Sequence, residues 1–171
     1  FNLDEYYPMD PNALQSYVKF MHEQLFDHID IKPENIHIPE GTLSKTAVGD
    51  FCFSYEEKID NYGGLDIQIL GIGRTGHIGF NEKGSALDSR TRRVALARKT
   101  IIDAAPSFGG EENVPTHAIT MGVASILEAK RIVLMARGAS KKEIVHLAIS
   151  GEVGPDVPAS FLQNHKNVGW F

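Results

Sequence analysis

The run Leu65 to Leu70 stops at Gly71, and the stretch LGIGRTGHIGFNEKGS, Leu70 to Ser85, follows from its last residue. Gly71, Gly73 and Gly76 fall close together there. Glycines let a backbone take positive φ and come close to a ligand. A strand that ends in such a loop delivers its side chains to the carboxyl edge of a sheet, where open α/β folds bind ligands. Behind the glycines stand His77, Asn81 and Glu82. His77 can exchange a proton near neutral pH, and Glu82 can orient it or tune its proton affinity. A tight surface turn with a solvated histidine is the plainer alternative. The grouping of His, Asn and Glu favours a functional loop.

Around this loop, elements of the two periods alternate. Asp10 before Pro11 is a helix-start signal, and Leu14, Tyr17, Val18, Met21 and Leu25 recur at helical spacing to about Asp27. Asn35 to Ile38 is a short strand candidate. Ala47 to Tyr62 reads as a helix closed by Gly63 and Gly64, and Leu65 to Leu70 as a buried strand. Thr91 to Arg98 alternates like a strand, and Thr100 to Ala105 is a short helix candidate. His117 to Met121 and Arg131 to Ala136 read as strands, with a helix at Val123 to Ala129 between them. Ser140, with Glu143 three residues on, predicts a capping box for a helix to about Ser150. Pro158 to His165 is a last short helix. This order predicts one α/β domain over residues 1–171: an open, mostly parallel, doubly wound sheet with helices on both faces. Phe1 to Tyr7 reads as the end of a strand and Val168 to Phe171 as the start of one. The expectation is a piece of a longer protein, which self-associates if its sheet is left uncovered.

Composition excludes several functions. A formal net charge of −5 argues against general nucleic-acid binding. Cys52 is the only cysteine, which leaves no intramolecular disulfide and no cysteine-based zinc site. No metal-ligand spacing is present, so no metal is expected. Nor is there an apolar run of membrane-span length or a signal peptide. The expected compartment is the reducing cytoplasm.

Two further groups carry chemistry. Asp4 and Glu5 sit in FNLDEYY, at what reads as a strand end, where a carboxylate can act as a base; a solvated acidic turn is the alternative. Arg137 to Lys142 follows a strand and opens a helix. Free N–H groups, Ser140 and Lys141 would suit an anion such as phosphate, and an ordinary connection with solvated lysines fits equally well. Arg90 to Arg93 forms a third basic cluster, at an exposed edge or an interface. His117 and His146 lie in apolar-periodic contexts and read as packed or surface residues.

The Gly-His-Ile-Gly-Phe-Asn-Glu run, followed by Ser89-Arg90-Thr91-Arg92, resembles the signature of the glucosamine-6-phosphate deaminase family. FNLDEYY, Val114-Pro115, Ala118 to Gly122, Gly138-x-x-Lys141 and ASFLQNH fit the same family in order. The residues after the Gly-His separate the chain from the related 6-phosphogluconolactonases. The resemblance implies conversion of glucosamine 6-phosphate and water to fructose 6-phosphate and ammonia, without a metal or organic cofactor. It implies Asp4 as the base moving the C2 proton towards C1, and His77 as the proton carrier that opens the sugar ring. Glu82 then supports His77, Lys141 binds the phosphate, and Gly73, Arg74 and Thr75 contact the substrate. The implied partner is a small aminosugar phosphate, with a homo-oligomer compatible. Thr75 stands where the family often has Asp or Asn. A catalytically weak sugar-phosphate-binding domain of the same fold is the alternative function.

Overall fold

The computed structural model describes Phe1 to Phe171. Its contacts divide the chain into two compact units, residues 1–52 with 92–120 and residues 53–91 with 121–171.

The first unit is built on β1 (Asp4–Tyr7), β3 (Arg92–Ala95) and β4 (His117–Thr120), in the order β1-β4-β3. Both ladders are antiparallel, and Asp4, Thr120 and Arg92 share one register row. Strand–helix alternation predicts parallel neighbours, and here it fails. Alternation along the sequence does not reveal that β1 and β3 both flank the later strand β4. Tyr7, Val48, Cys52 and Ile119 form a buried cluster in this unit.

Helix α1 (Tyr17–Gln24) also belongs here, and it starts later than Asp10-Pro11 predicts. Asp10 instead accepts the Asn12 N–H through its side chain, making a turn. Ser16 is the true N-cap, accepting from the N–H groups of Val18 and Lys19. The expected strand at Asn35 to Ile38 is absent; Pro33 to Asn35 form a 3-10 turn instead. Prolines 33 and 39 bracket a segment too short to build a ladder. Helix α3 (Arg98–Phe108) outruns its predicted span at both ends and closes on Gly109 at φ 71°.

The second unit contains the expected parallel sheet. Strands β2 (Ile67–Gly71), β5 (Arg131–Met135) and β6 (Val168–Trp170) lie in the order β2-β5-β6. Leu70, Ile132 and Leu134 are buried on one face. Ile67, Ile69 and Met135 alternate with them and remain 57%, 56% and 52% exposed. Helices α4 (Val123–Leu127) and α5 (Lys142–Ser150) complete this unit. The Ser140 capping box does not form. Ala139 to Lys141 make a 3-10 turn, which moves the helix start to Lys142 without a side-chain cap. Helix α2 (Val48–Asn61) begins in the first unit's sequence range and ends in the second's. No helix is long and apolar enough to cross a membrane.

Candidate active site

The loop after β2 organises itself around His77. Gly73 donates its N–H to the His77 carbonyl, and Gly76 donates to the Gly73 carbonyl. These bonds curl the chain so that the imidazole lies against the Gly73 backbone. A Cβ at residue 73 would meet the ring at 2.1 Å, so Gly73 is the space the histidine occupies. Only Gly76 of the first three glycines has positive φ, at 82°. Gly71 needs neither positive φ nor room for a neighbour.

His77 Nδ1 lies 3.2 Å from Glu82 Oε2 and 3.0 Å from the Thr75 hydroxyl. A carboxylate can only accept, so the Glu82 contact assigns the proton to Nδ1. Nε2 then carries the lone pair and faces the Gly73 side. The two side chains are 18% and 12% exposed, which keeps water from screening the pair as it would at a surface. Thr75 supplies a neutral partner at the same nitrogen.

Buried Asn81 holds the loop in place. Its amide donates to the carbonyls of Ile78 and Met121 at 2.9 and 2.8 Å. Sequence reasoning grouped Asn81 with the chemistry, but its bonds make it a tie. The ASFLQNH segment is a second support. Ala159 N–H donates to the Gly76 carbonyl, and Ser160 closes on Gly154. Lys141 joins this loop as well: its ammonium donates to the Ile72 carbonyl at 2.7 Å. The structure thus brings Gly73, Thr75, His77, Glu82 and Lys141 together. Arg74 is in the same loop and is exposed.

The SRTR stretch is structural in its first half. Ser89 caps α4, accepting the Val123 N–H on its hydroxyl and the Ala124 N–H on its carbonyl. Arg90 pairs with Glu128, and Glu56 accepts from Thr91 and Ser125. The basic cluster is therefore not one patch: Arg90 is committed to carboxylates.

Asp4 belongs to the first unit. It is the first residue of β1, not the end of a strand, and β1 is antiparallel to its neighbour. The expected placement at a parallel strand's carboxyl end is corrected accordingly. Its carboxyl is partly buried, and burial, with the adjacent Glu5 charge second, raises its pKa to about 7. An acid poised there can take and return a proton near neutral pH. No group of three or more His, Cys, Asp or Glu could hold a metal ion.

Comparison with known proteins adds the following. The family model for glucosamine-6-phosphate isomerases/6-phosphogluconolactonase matches residues 3–170. A glucosamine-6-phosphate deaminase of Clostridium novyi (strain NT) is 46% identical over 168 residues, covering 98% of this chain and 69% of its own length. A second, from Hahella chejuensis, is 50% identical over 167 residues, covering 98% of this chain and 63% of its own length. A solved monomeric glucosamine-6-phosphate deaminase superposes with a TM-score of 0.95 at 42% identity, over 99% of this chain and 69% of that one. The chain thus spans roughly two thirds of the length of these relatives.

Proposed function

This chain belongs to the glucosamine-6-phosphate isomerase/6-phosphogluconolactonase family, and from that premise we propose that it carries the deaminase chemistry: glucosamine 6-phosphate and water become fructose 6-phosphate and ammonia. The reaction joins an aldose–ketose isomerisation to hydrolytic loss of the amine. It needs a proton carrier at the sugar oxygens and a base at carbon.

The observation that carries the reading is the His77–Glu82 pair, with Nδ1 committed to Glu82 and Nε2 left as the proton acceptor. In ring opening, His77 takes the proton from the anomeric hydroxyl and returns it to the ring oxygen as the C1–O5 bond breaks. Glu82 stabilises the imidazolium that forms in between. Asp4 then removes the C2 proton of the open chain and delivers it to C1, while O1 gains a proton and the C2 amine loses one, leaving an imine at C2. Water adds to that imine and ammonia departs. The Lys141 ammonium, beside the same loop, supplies positive charge for the phosphate.

The test is simultaneous measurement of ammonia and fructose 6-phosphate from glucosamine 6-phosphate. Equal amounts of both products support the reading. Hydrolysis of 6-phosphogluconolactone with no ammonia from the aminosugar would overturn it in favour of the other half of the family. Tight sugar-phosphate binding with neither activity would identify a binding domain.

A further inference from the structure

Glu5 is the most enclosed carboxylate of the first unit, at 1% exposure. It follows Asp4 directly, but alternation along β1 places the two on opposite faces. Asp4 shares its row with Thr120 and Arg92, and Glu5 shares its row with Ile119 and Arg93. Strand β1 is an edge of its sheet. The Glu5 side chain folds back over that edge. Oε1 accepts the Tyr6 N–H at 2.8 Å. Oε2 accepts the Ser16 hydroxyl at 2.8 Å and the Val18 N–H at 3.1 Å. Ser16 is the N-cap of α1, so the carboxylate also meets the positive end of that helix.

An anchor between a strand edge and a helix start needs only an acceptor. Here three donors take both oxygens, Tyr6 on Oε1 and Ser16 and Val18 on Oε2, so a neutral amide would turn its NH2 against one of them. A carboxylate does one thing more: it fixes a negative charge one residue from Asp4.

We propose that Glu5 is a positioning residue for the deamination reaction, which locks β1 to the start of α1 and makes Asp4 a stronger base through its fixed charge. The proposal rests on the deaminase reading for its catalytic consequence, while the electrostatic part stands on the first unit alone. The other groups around Asp4 do not cancel this charge. Tyr6 on β1 and Tyr17 on α1 both have raised proton affinity from burial and stay neutral near pH 7. Thr120 on β4 does not titrate. Arg92 on β3 stands in the Asp4 row but is not among the causes of the raised Asp4 pKa, which are burial and Glu5, and Arg93 is on the Glu5 face, over the Tyr7 ring. From α3, Phe108 packs on Tyr6 and is apolar. From α2, Val48 and Cys52 pack on Tyr7 and Ile119.

The experiment is a carbon-13 titration of the Asp4 carboxyl in the parent and in Glu5→Gln, with the pH dependence of kcat and KM beside it. The expected result is a fall of the Asp4 midpoint by about one unit in the variant. The acid limb of kcat moves the same way, kcat drops several-fold, and KM stays within twofold. A variant that loses thermal stability but keeps the parent's Asp4 midpoint and acid limb overturns the proposal and leaves Glu5 an anchor only. Should Glu5→Gln not fold, the parent suffices. The Val18 amide proton, bonded to Glu5, is expected to shift with the Asp4 midpoint, and no step there overturns the coupling. A parent with no deaminase activity refutes the functional reading, and the two carboxyl readouts still decide whether Glu5 acts on Asp4.

Discussion

His77 Nδ1 and Glu82 Oε2 stand 3.2 Å apart, five residues distant in sequence and joined by a loop that Asn81 pins from within. The pair makes Glu82 a charge partner as well as an orienting group. Glu82→Gln keeps an acceptor and removes the charge. A charge-assisted bond is worth about 1.5–3 kcal/mol, so kcat is expected to fall roughly 10- to 100-fold. Steady-state kinetics check this, with the folded state followed by circular dichroism. An unchanged kcat would remove Glu82 from the proton chemistry.

Gly73→Ala places a methyl 2.1 Å from the His77 ring. The ring must swing away, because the other wall is the Gly73 backbone itself. Activity is expected to fall at least as far as in His77→Ala, while the melting temperature changes little, since neither residue is in the buried core. Near-normal activity in Gly73→Ala would mean that the ring has another productive position.

Asp4 sets a pH dependence of stability whose sign is fixed. Its folded pKa, about 7, lies above the 3.8 of an ordinary aspartate. Below about pH 4 both states are protonated and the group is silent. Between about 4 and 7 the unfolded chain releases the proton first, so stability falls as pH rises, and above 7 the loss is complete. Asp4→Asn cannot ionise. Relative to the parent it is expected to gain stability with rising pH across that window, on the order of 1–4 kcal/mol in all. Denaturant titrations at pH 4.5 and pH 8 measure it, and a stability difference independent of pH would contradict the assignment.

One face of the β2-β5-β6 sheet is apolar and open at Ile67, Ile69 and Met135. Parallel sheets are ordinarily covered on both faces. The 171-residue chain is expected to bind an apolar dye and to self-associate at high concentration, and Ile69→Lys is expected to reduce both. Light scattering that shows a monomer at every concentration, with no dye bound, would count against an active apolar face.

The meeting of His77 with Glu82 was legible in the sequence because it is local. Gly73, His77 and Glu82 lie within ten residues, and their spacing fixes their meeting whatever the rest of the fold does. The strands β2 and β5 were legible from their apolar runs, and α2 from its period and its closing glycines. What the sequence hid depends on distant partners. The antiparallel order β1-β4-β3 depends on which strand lies beside Asp4, and no local pattern records that. The start of α1 went to Asp10 because Asp before Pro is a strong local signal, whereas Ser16 won because Glu5 completes its cap from another element. Ser140 failed as a cap because Gly138, at φ 95°, turns the chain into a 3-10 turn first.

The central claim is that Asp4 carries the C2 proton to C1 while His77 serves the oxygens. The most direct measurement uses glucosamine 6-phosphate deuterated at C2, with the position of the label read in fructose 6-phosphate by NMR. The account predicts that part of the deuterium appears at C1, the rest being lost to solvent, and that Asp4→Asn forms no product. Full-rate product formation by Asp4→Asn would contradict it.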